Sequence, residues 1–593
     1  MSNAAGESRK YTALFVAGLG AWVLNTLAAS LGGLAMDAAC AVLPVAWLCL
    51  ALRFRTGRRW TERACTSLIL AGGFLMGLCF ILRLPYNFSW HDLASYSADF
   101  SGEAKPDGHL GYIAWIVENG TLPFVDPRVE GYSVFYNPPL YHLIQAGFMR
   151  LNLWLQVPES VALENLQVIT LLFASACPLV AVDLMRFLGL DERGVRAGAL
   201  AMAFQPSLWI LGATLNNDIL SILCILACIL FTVRWERTRR MGDILGVALA
   251  LGAGMAAKLS AALLIPCVAL VFIVAFFRDL KRWQHYLGQF AAFLAVSVPL
   301  AVAWPLYHLL AFDMPLNYVR LPAETIYVGH LSLWKRFGIP DWFARRGLFY
   351  TGIRKTDHNV WMQTLKTGVF DELTLFDNGT VMWYACYLLM AMFAVLLLIG
   401  LVLFVRMLVR RPARLSGLGA AFLGMYGVVL VGYYLKFCLD YPYICSFNFR
   451  YVAPLLLLCA LGLAAGRACG RKTGWIVGYT GLFAALAAMV YGVWFFLAIS
   501  TSMNRNVSDG FWASGQRFSC TQSRIRSAVG TGACRSYQMA GVDVDMEASL
   551  YGQETSQKPF GFWDVFVLPK STDYSTALAA FSAAFRPQVA AIA

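Results

Sequence analysis

Charge is what this chain has least of. Of its 593 residues only 14% are Asp, Glu, Lys or Arg, while 59% are hydrophobic. The mean hydropathy is +0.61. A soluble protein of this size needs far more charge to cover its surface, so a water-soluble globule is excluded. Metal-ligand spacings such as CxxC or HExxH are also missing, which removes the usual structural-zinc and metalloprotease readings. There is no internal repeat and no low-complexity run.

What is present is a series of apolar segments, each long enough to cross about 30 Å of hydrocarbon. About thirteen can be read, at 11–33, 37–52, 65–84, 163–185, 197–212, 216–233, 242–257, 259–277, 287–308, 381–405, 415–437, 447–466 and 474–499. The pattern predicts an all-α polytopic membrane protein. Lys and Arg should gather on the cytoplasmic side. With the N-terminus inside, the inner connections 1–10, 51–64, 186–196, 234–243, 278–286, 406–414 and 467–473 are rich in both, whereas the four short outer turns hold only Lys258. That asymmetry accounts for the net charge of +13 without nucleic acid as a partner. The same parity puts loop 85–162, loop 309–380 and the tail 500–593 outside, around membrane segments 1–84, 163–308 and 381–499. The first apolar run is too long for a signal-peptide core and reads as an anchor.

Most of the fifteen cysteines lie in apolar segments and read as small buried hydrophobes. Cys520 and Cys534 lie in the polar outer tail, where a disulfide and two thiols are both compatible with the sequence. Cys438 and Cys445, flanking the last outer turn, form a weaker possible pair.

The unusual stretch is 91–142. His91-Asp92, Gly108-His109-Leu-Gly-Tyr112 and Tyr136-Asn-Pro-Pro-Leu-Tyr-His142 are polar, aromatic and punctuated by Pro and Gly, yet lie between spans. A loop that merely joined two helices would need none of this. Residues 109–118 have apolar positions at helical spacing with a polar rim, which predicts a helix lying in the membrane interface. Asn119-Gly120 should close it, and Pro138-Pro139 should open a second interfacial helix over 139 to about 152. Elsewhere on the outer side stand Asn216-Asn217-Asp218, Lys258, an amphipathic stretch around Lys366 followed by Asp371-Glu372, and Ser446-Phe-Asn448-Phe-Arg450-Tyr451. Lys258 and Arg450 are costly inside a membrane and should reach outward or meet an anion.

These motifs, in this order over about 85–455, resemble the GT-C superfamily of integral membrane glycosyltransferases. The nearest branch is the bacterial one related to protein O-mannosyltransferases and aminoarabinose transferases. The resemblance implies transfer of a monosaccharide from a polyprenyl-phosphate carrier to an envelope glycan, lipid or protein outside the cytoplasm, in a bacterial cell membrane. Two features depart from the family. Its acidic pair is here Asp92-Leu93, and three spans rather than one precede the loop. The first leaves a divalent metal open; no other cofactor is implied.

By that resemblance Asp92 is the expected general base of an inverting transfer, taking the acceptor proton as the sugar–phosphate bond breaks. Arg450, Lys258 and Lys366 are the expected ligands of the donor phosphate, since cations in a dry pocket stabilise a departing phosphate. His91, His109, Tyr136, His142, Asn217, Asp218 and Glu372 are the expected acceptor or cavity residues. Two other functions remain. A lipid-linked sugar flippase would be expected to carry charges near mid-bilayer and symmetrical halves. A ligase or polymerase of lipid-linked oligosaccharides would share the topology. No Rossmann-type glycine motif or DxD motif lies on the inner side, which argues against a nucleotide-sugar donor used in the cytoplasm.

Overall fold

The computed structural model describes residues 2–31, 61–84, 108–129, 134–316, 326–338, 358–371, 381–411 and 414–466, with short pieces between them. It is an all-α polytopic bundle. The helices are α1 (Ser2–Leu31), α2 (Glu62–Arg83), α3 (Gly108–Asn119), α4 (Leu140–Trp154), α5 (Glu159–Phe187), α6 (Glu192–Ala203), α7 (Pro206–Ala213) and α8 (Asp218–Thr238). They continue as α9 (Met241–Ala257), α10 (Ile265–Arg278), α11 (Trp283–Phe312), α12 (Leu333–Phe337), α13 (Val360–Phe370), α14 (Val381–Arg410), α15 (Gly417–Asp440) and α16 (Leu455–Gly466). A short antiparallel ribbon pairs Tyr96–Ala98 with Ala104–Pro106.

Among the described residues eight helices are long and apolar enough to cross a bilayer. A ninth forms if the bent pair Ile444–Val452 and Leu455–Gly466 is one span. The expected spans near 11–33, 65–84, 163–185, 216–233, 259–277, 287–308, 381–405 and 415–437 are all such helices. The expected span 197–212 is instead two short helices, α6 and α7. Pro206 opens α7 and its ring disfavours a helical residue before it, so Gln205 is extended at φ −89°, ψ 118°. The segment at 242–257 is α9, an apolar helix of 17 residues. Within 37–52 the described part is a shorter apolar helix, Ala38–Trp47, and all but three residues of 474–499 lie outside the described residues.

α5 is the central post, packed against α1, α2, α6, α7 and α8, while α9 lies between α8 and α11. A satisfied amide network ties α1 to α4 and α5. Trp22 donates to Asn152 at 2.9 Å, Asn25 to Asn165 at 3.1 Å, and Asn165 to both Asn152 and Thr26 at 2.9 Å. In an apolar environment such bonds favour one register between helices. α16 is buried along its whole length, flanked by α6 and α14.

α3 ends as expected. Gly120 takes φ +72° and its N–H returns to the Ile116 carbonyl at 3.1 Å, a left-handed stop that glycine enters without strain. Tyr112 and Ile113 of α3, Phe135, Met149 of α4, Leu166 of α5 and Trp304 of α11 form one buried cluster. The Trp304 indole donates to the Phe135 carbonyl at 3.1 Å. This cluster seats α3, Phe135 and α4 on the bundle. Cys438 and Cys445 are not disulfide-bonded. The Cys438 thiol donates to the Ser446 carbonyl at 3.8 Å, so the turn itself occupies it.

Candidate functional site

The site is built where three chain breaks meet at one end of the bundle. The first is the turn before α8. Asn216 caps that helix, its Oδ1 accepting the Ile219 N–H at 3.1 Å. Asn217 donates instead to the Ala257 carbonyl at 2.9 Å and to Asn137 Oδ1 at 3.4 Å. One amide thus joins the α8 turn, the end of α9 and the Tyr136-Asn-Pro-Pro segment. The second break is Lys258. It closes α9 in an extended conformation, φ −159°, ψ 133°, before the 3-10 turn Leu259–Leu264. The third is the 3-10 turn Phe449–Val452. There Asn448 Oδ1 accepts the Arg450 N–H at 3.0 Å, and the Phe449 N–H bonds Thr367 Oγ1 of α13 at 2.8 Å.

Asp218 is the meeting point. Lys258 Nζ lies 2.5 Å from its Oδ1 and Arg450 Nη1 lies 3.5 Å from its Oδ2. The Tyr451 ring lies under both cations, 5.1 Å from Lys258 Nζ and 5.2 Å from Arg450 Cζ. Two cations share one buried carboxylate. Arg450 also donates to the Tyr451 hydroxyl at 3.3 Å.

Beside the cluster is a pair of buried imidazoles. His109 Nδ1 and His142 Nε2 are 2.8 Å apart, and His142 stacks on Tyr112 at 4.0 Å between centroids. Burial pushes His109 down to about 3; Lys258 and Arg450 add to that effect while Asp218 opposes it. Burial, then the neighbouring His109, also hold His142 well below its ordinary value. Both rings are therefore neutral near pH 7, and one N–H serves the pair.

Lys366 lies on α13, only 1% exposed. Its neighbour Thr367 carries the bond to Phe449, which draws its helix against the Arg450 turn. Tyr136 is half-buried in the turn before Asn137. His91, Asp92, Glu372, Cys520 and Cys534 lie outside the described residues. Upstream of Asp92 the chain is tethered: the Tyr86 N–H donates to Glu164 of α5 at 3.0 Å. Among the described residues no three His, Cys, Asp or Glu side chains are grouped so as to hold a metal ion.

The sequence motifs contain Tyr451, Tyr112 and Asn137, but none of the three is among the expected site residues. Tyr451 directly follows Arg450 and Asn137 sits inside the Tyr136-Asn-Pro-Pro motif. Adjacency was the available signal for these two.

No curated protein matches this chain. Residues 136–304, which run from Tyr136 through His142, Asn217 and Asp218 to beyond Lys258, match the model of the dolichyl-phosphate-mannose-protein mannosyltransferase family, so this part of the chain is similar to that family.

Proposed function

We propose that the protein is an inverting glycosyltransferase that moves a monosaccharide from a polyprenyl-phosphate carrier to an acceptor on the extracytoplasmic side of the membrane. The observation that carries this reading is the convergence of Lys258 and Arg450 on buried Asp218, within a chain related to lipid-phosphate-sugar transferases. The two cations are pre-positioned by Asp218. A phosphodiester entering the site would set its anionic oxygens against these two donors. As the C1–O bond of the sugar phosphate breaks, the leaving phosphate gains negative charge, and cations fixed in a water-poor pocket stabilise that state more than the bound donor.

Lys366 is the third phosphate ligand in this reading, delivered by α13. Asp92 is the general base. Its carboxylate takes the proton of the acceptor hydroxyl while the hydroxyl oxygen bonds to C1 from the face opposite the departing phosphate, which inverts the anomeric centre. The His109–His142 pair, Tyr136, Asn217 and Glu372 line the acceptor side. A neutral imidazole next to two cations can orient a sugar hydroxyl without adding charge.

The test is transfer from radiolabelled polyprenyl-phosphate sugars to a membrane extract by purified protein, wild type against Asp92→Asn. General-base catalysis contributes about 10²–10⁴-fold, and the variant should lose labelled product on that scale at equal folded amount. Movement of the carrier across the bilayer without sugar transfer would overturn the assignment in favour of a flippase.

A further inference from the structure

α12 and the start of α13 carry a second cation that the donor site does not use. Arg336 is only 7% exposed. Among the described residues neither its Nε nor its Nη1 has a hydrogen-bond partner. The nearest compensation is the face of the adjacent Phe337 ring, 5.8 Å from Cζ, which meets the charge but satisfies no N–H. Arginine stays protonated in proteins, so it cannot escape burial by losing its charge, and a buried unpaired charge is among the costliest things a fold can hold.

The surroundings indicate what would complete it. On the same short helix Leu333 and Trp334 are 57% and 72% exposed, and Trp361 at the start of α13 is 40% exposed. Trp361 is fixed there, its indole donating to the Phe337 carbonyl at 2.7 Å. Asn359 clamps the corner by donating to the Gly338 carbonyl at 3.0 Å. A buried cation beneath a rigid rim of exposed tryptophan and leucine matches an anion that carries an apolar tail. We propose that the α12–α13 corner is a lipid-phosphate site, with Arg336 holding the phosphate and Leu333, Trp334 and Trp361 contacting the chain beside it. Among the described residues no ion pair joins Arg336 to Asp218, Lys258 or Arg450, and the proposal does not depend on the transfer chemistry. Its ligand is either a phospholipid of the bilayer or a polyprenyl phosphate.

Native mass spectrometry of the full-length protein, after exchange into a neutral detergent, tests this. Phosphatidylglycerol and polyprenyl phosphate are titrated separately, with phosphatidylcholine as the control, against wild type, Arg336→Gln and Trp334→Ser. Wild type should retain one lipid phosphate more than Arg336→Gln, whose affinity for that lipid should fall roughly tenfold, the scale of one lost charge-assisted bond. Retention confined to phosphatidylglycerol assigns the site to the bilayer, and retention confined to polyprenyl phosphate assigns it to the carrier. Equal retention by wild type and Arg336→Gln would overturn the proposal. If Arg336→Gln does not fold, surface variant Trp334→Ser decides: weaker retention supports the site, and unchanged retention rejects it.

Discussion

Two histidines 33 residues apart in the chain meet at 2.8 Å, and their protonation ties the stability of the site to pH. His109 titrates at about 3 in the folded protein, against about 6.5 for an unperturbed imidazole. Between those values the unfolded chain binds a proton that the folded one refuses. The stabilising effect of the neutral ring is therefore complete above about pH 6.5 and is lost as pH falls toward 3. The loss approaches 1.4 kcal/mol per pH unit, to order of magnitude. Lys258, Arg450, Asp218 and His142 are the groups that act on it, and the first two keep it neutral. Thermal unfolding of detergent-solubilised protein from pH 7 to 4.5 should show a falling midpoint, and His109→Gln should flatten the fall. Equal slopes would mean that other groups control the acid limb. At this scale Lys258 and Arg450 were legible because a cation in an apolar segment demands a reason. Asp218 as their shared counter-ion was not, since the three residues come from different elements and only the fold brings them together.

At the scale of elements, the long spans were legible from apolar length alone, and the close of α3 from Asn119-Gly120. The break between α6 and α7 was not read, although Pro206 was visible, because the apolar run continues across it and hydropathy outweighed the local backbone rule. Buried α16 shows what hydropathy cannot reveal. Its sequence has only the composition of a span, while its packing depends on two glycines at the α14–α16 contact. A Cβ on Gly462 would stand 2.2 Å from the Gly400 carbonyl oxygen, and one on Gly400 would meet the backbone of Cys459. These are backbone contacts that no rotamer change relieves, and close backbone approach through small residues is how helices associate in lipid. Gly462→Ala should destabilise by about 1–3 kcal/mol through overpacking. Gly432→Ala, on α15 where nothing lies within 4 Å, should be neutral or stabilising by up to about 1 kcal/mol through helix propensity. Opposite signs for the same substitution, read by thermal unfolding in one detergent, would confirm that the α14–α16 contact is a backbone contact. A destabilisation of equal size at both positions would reject it.

At the scale of the whole molecule the two ends of the bundle differ in chemistry. One end gathers arginines with carboxylate partners: Arg186 with Glu192 at 2.9 Å and Arg234 with Asp243 at 3.1 Å. There Arg237 also donates to the Arg414 carbonyl at 2.8 Å. At the other end Lys258 and Arg450 are paired with Asp218. Positive charge is retained on the cytoplasmic side during insertion, so the arginine end should face the cytoplasm and the Asp218 end the exterior, as the proposed function requires. Two single-cysteine additions test this. Gly242→Cys lies near Arg240 at the start of α9, with open space around it, and Thr121→Cys is exposed just past α3. A membrane-impermeant thiol reagent on intact cells should label Thr121→Cys above the wild-type background. It should label Gly242→Cys only after the membrane is opened. The reverse pattern would put the Asp218 cluster in the cytoplasm, where no polyprenyl-phosphate sugar facing outward could reach it, and the proposed function would fall with the orientation.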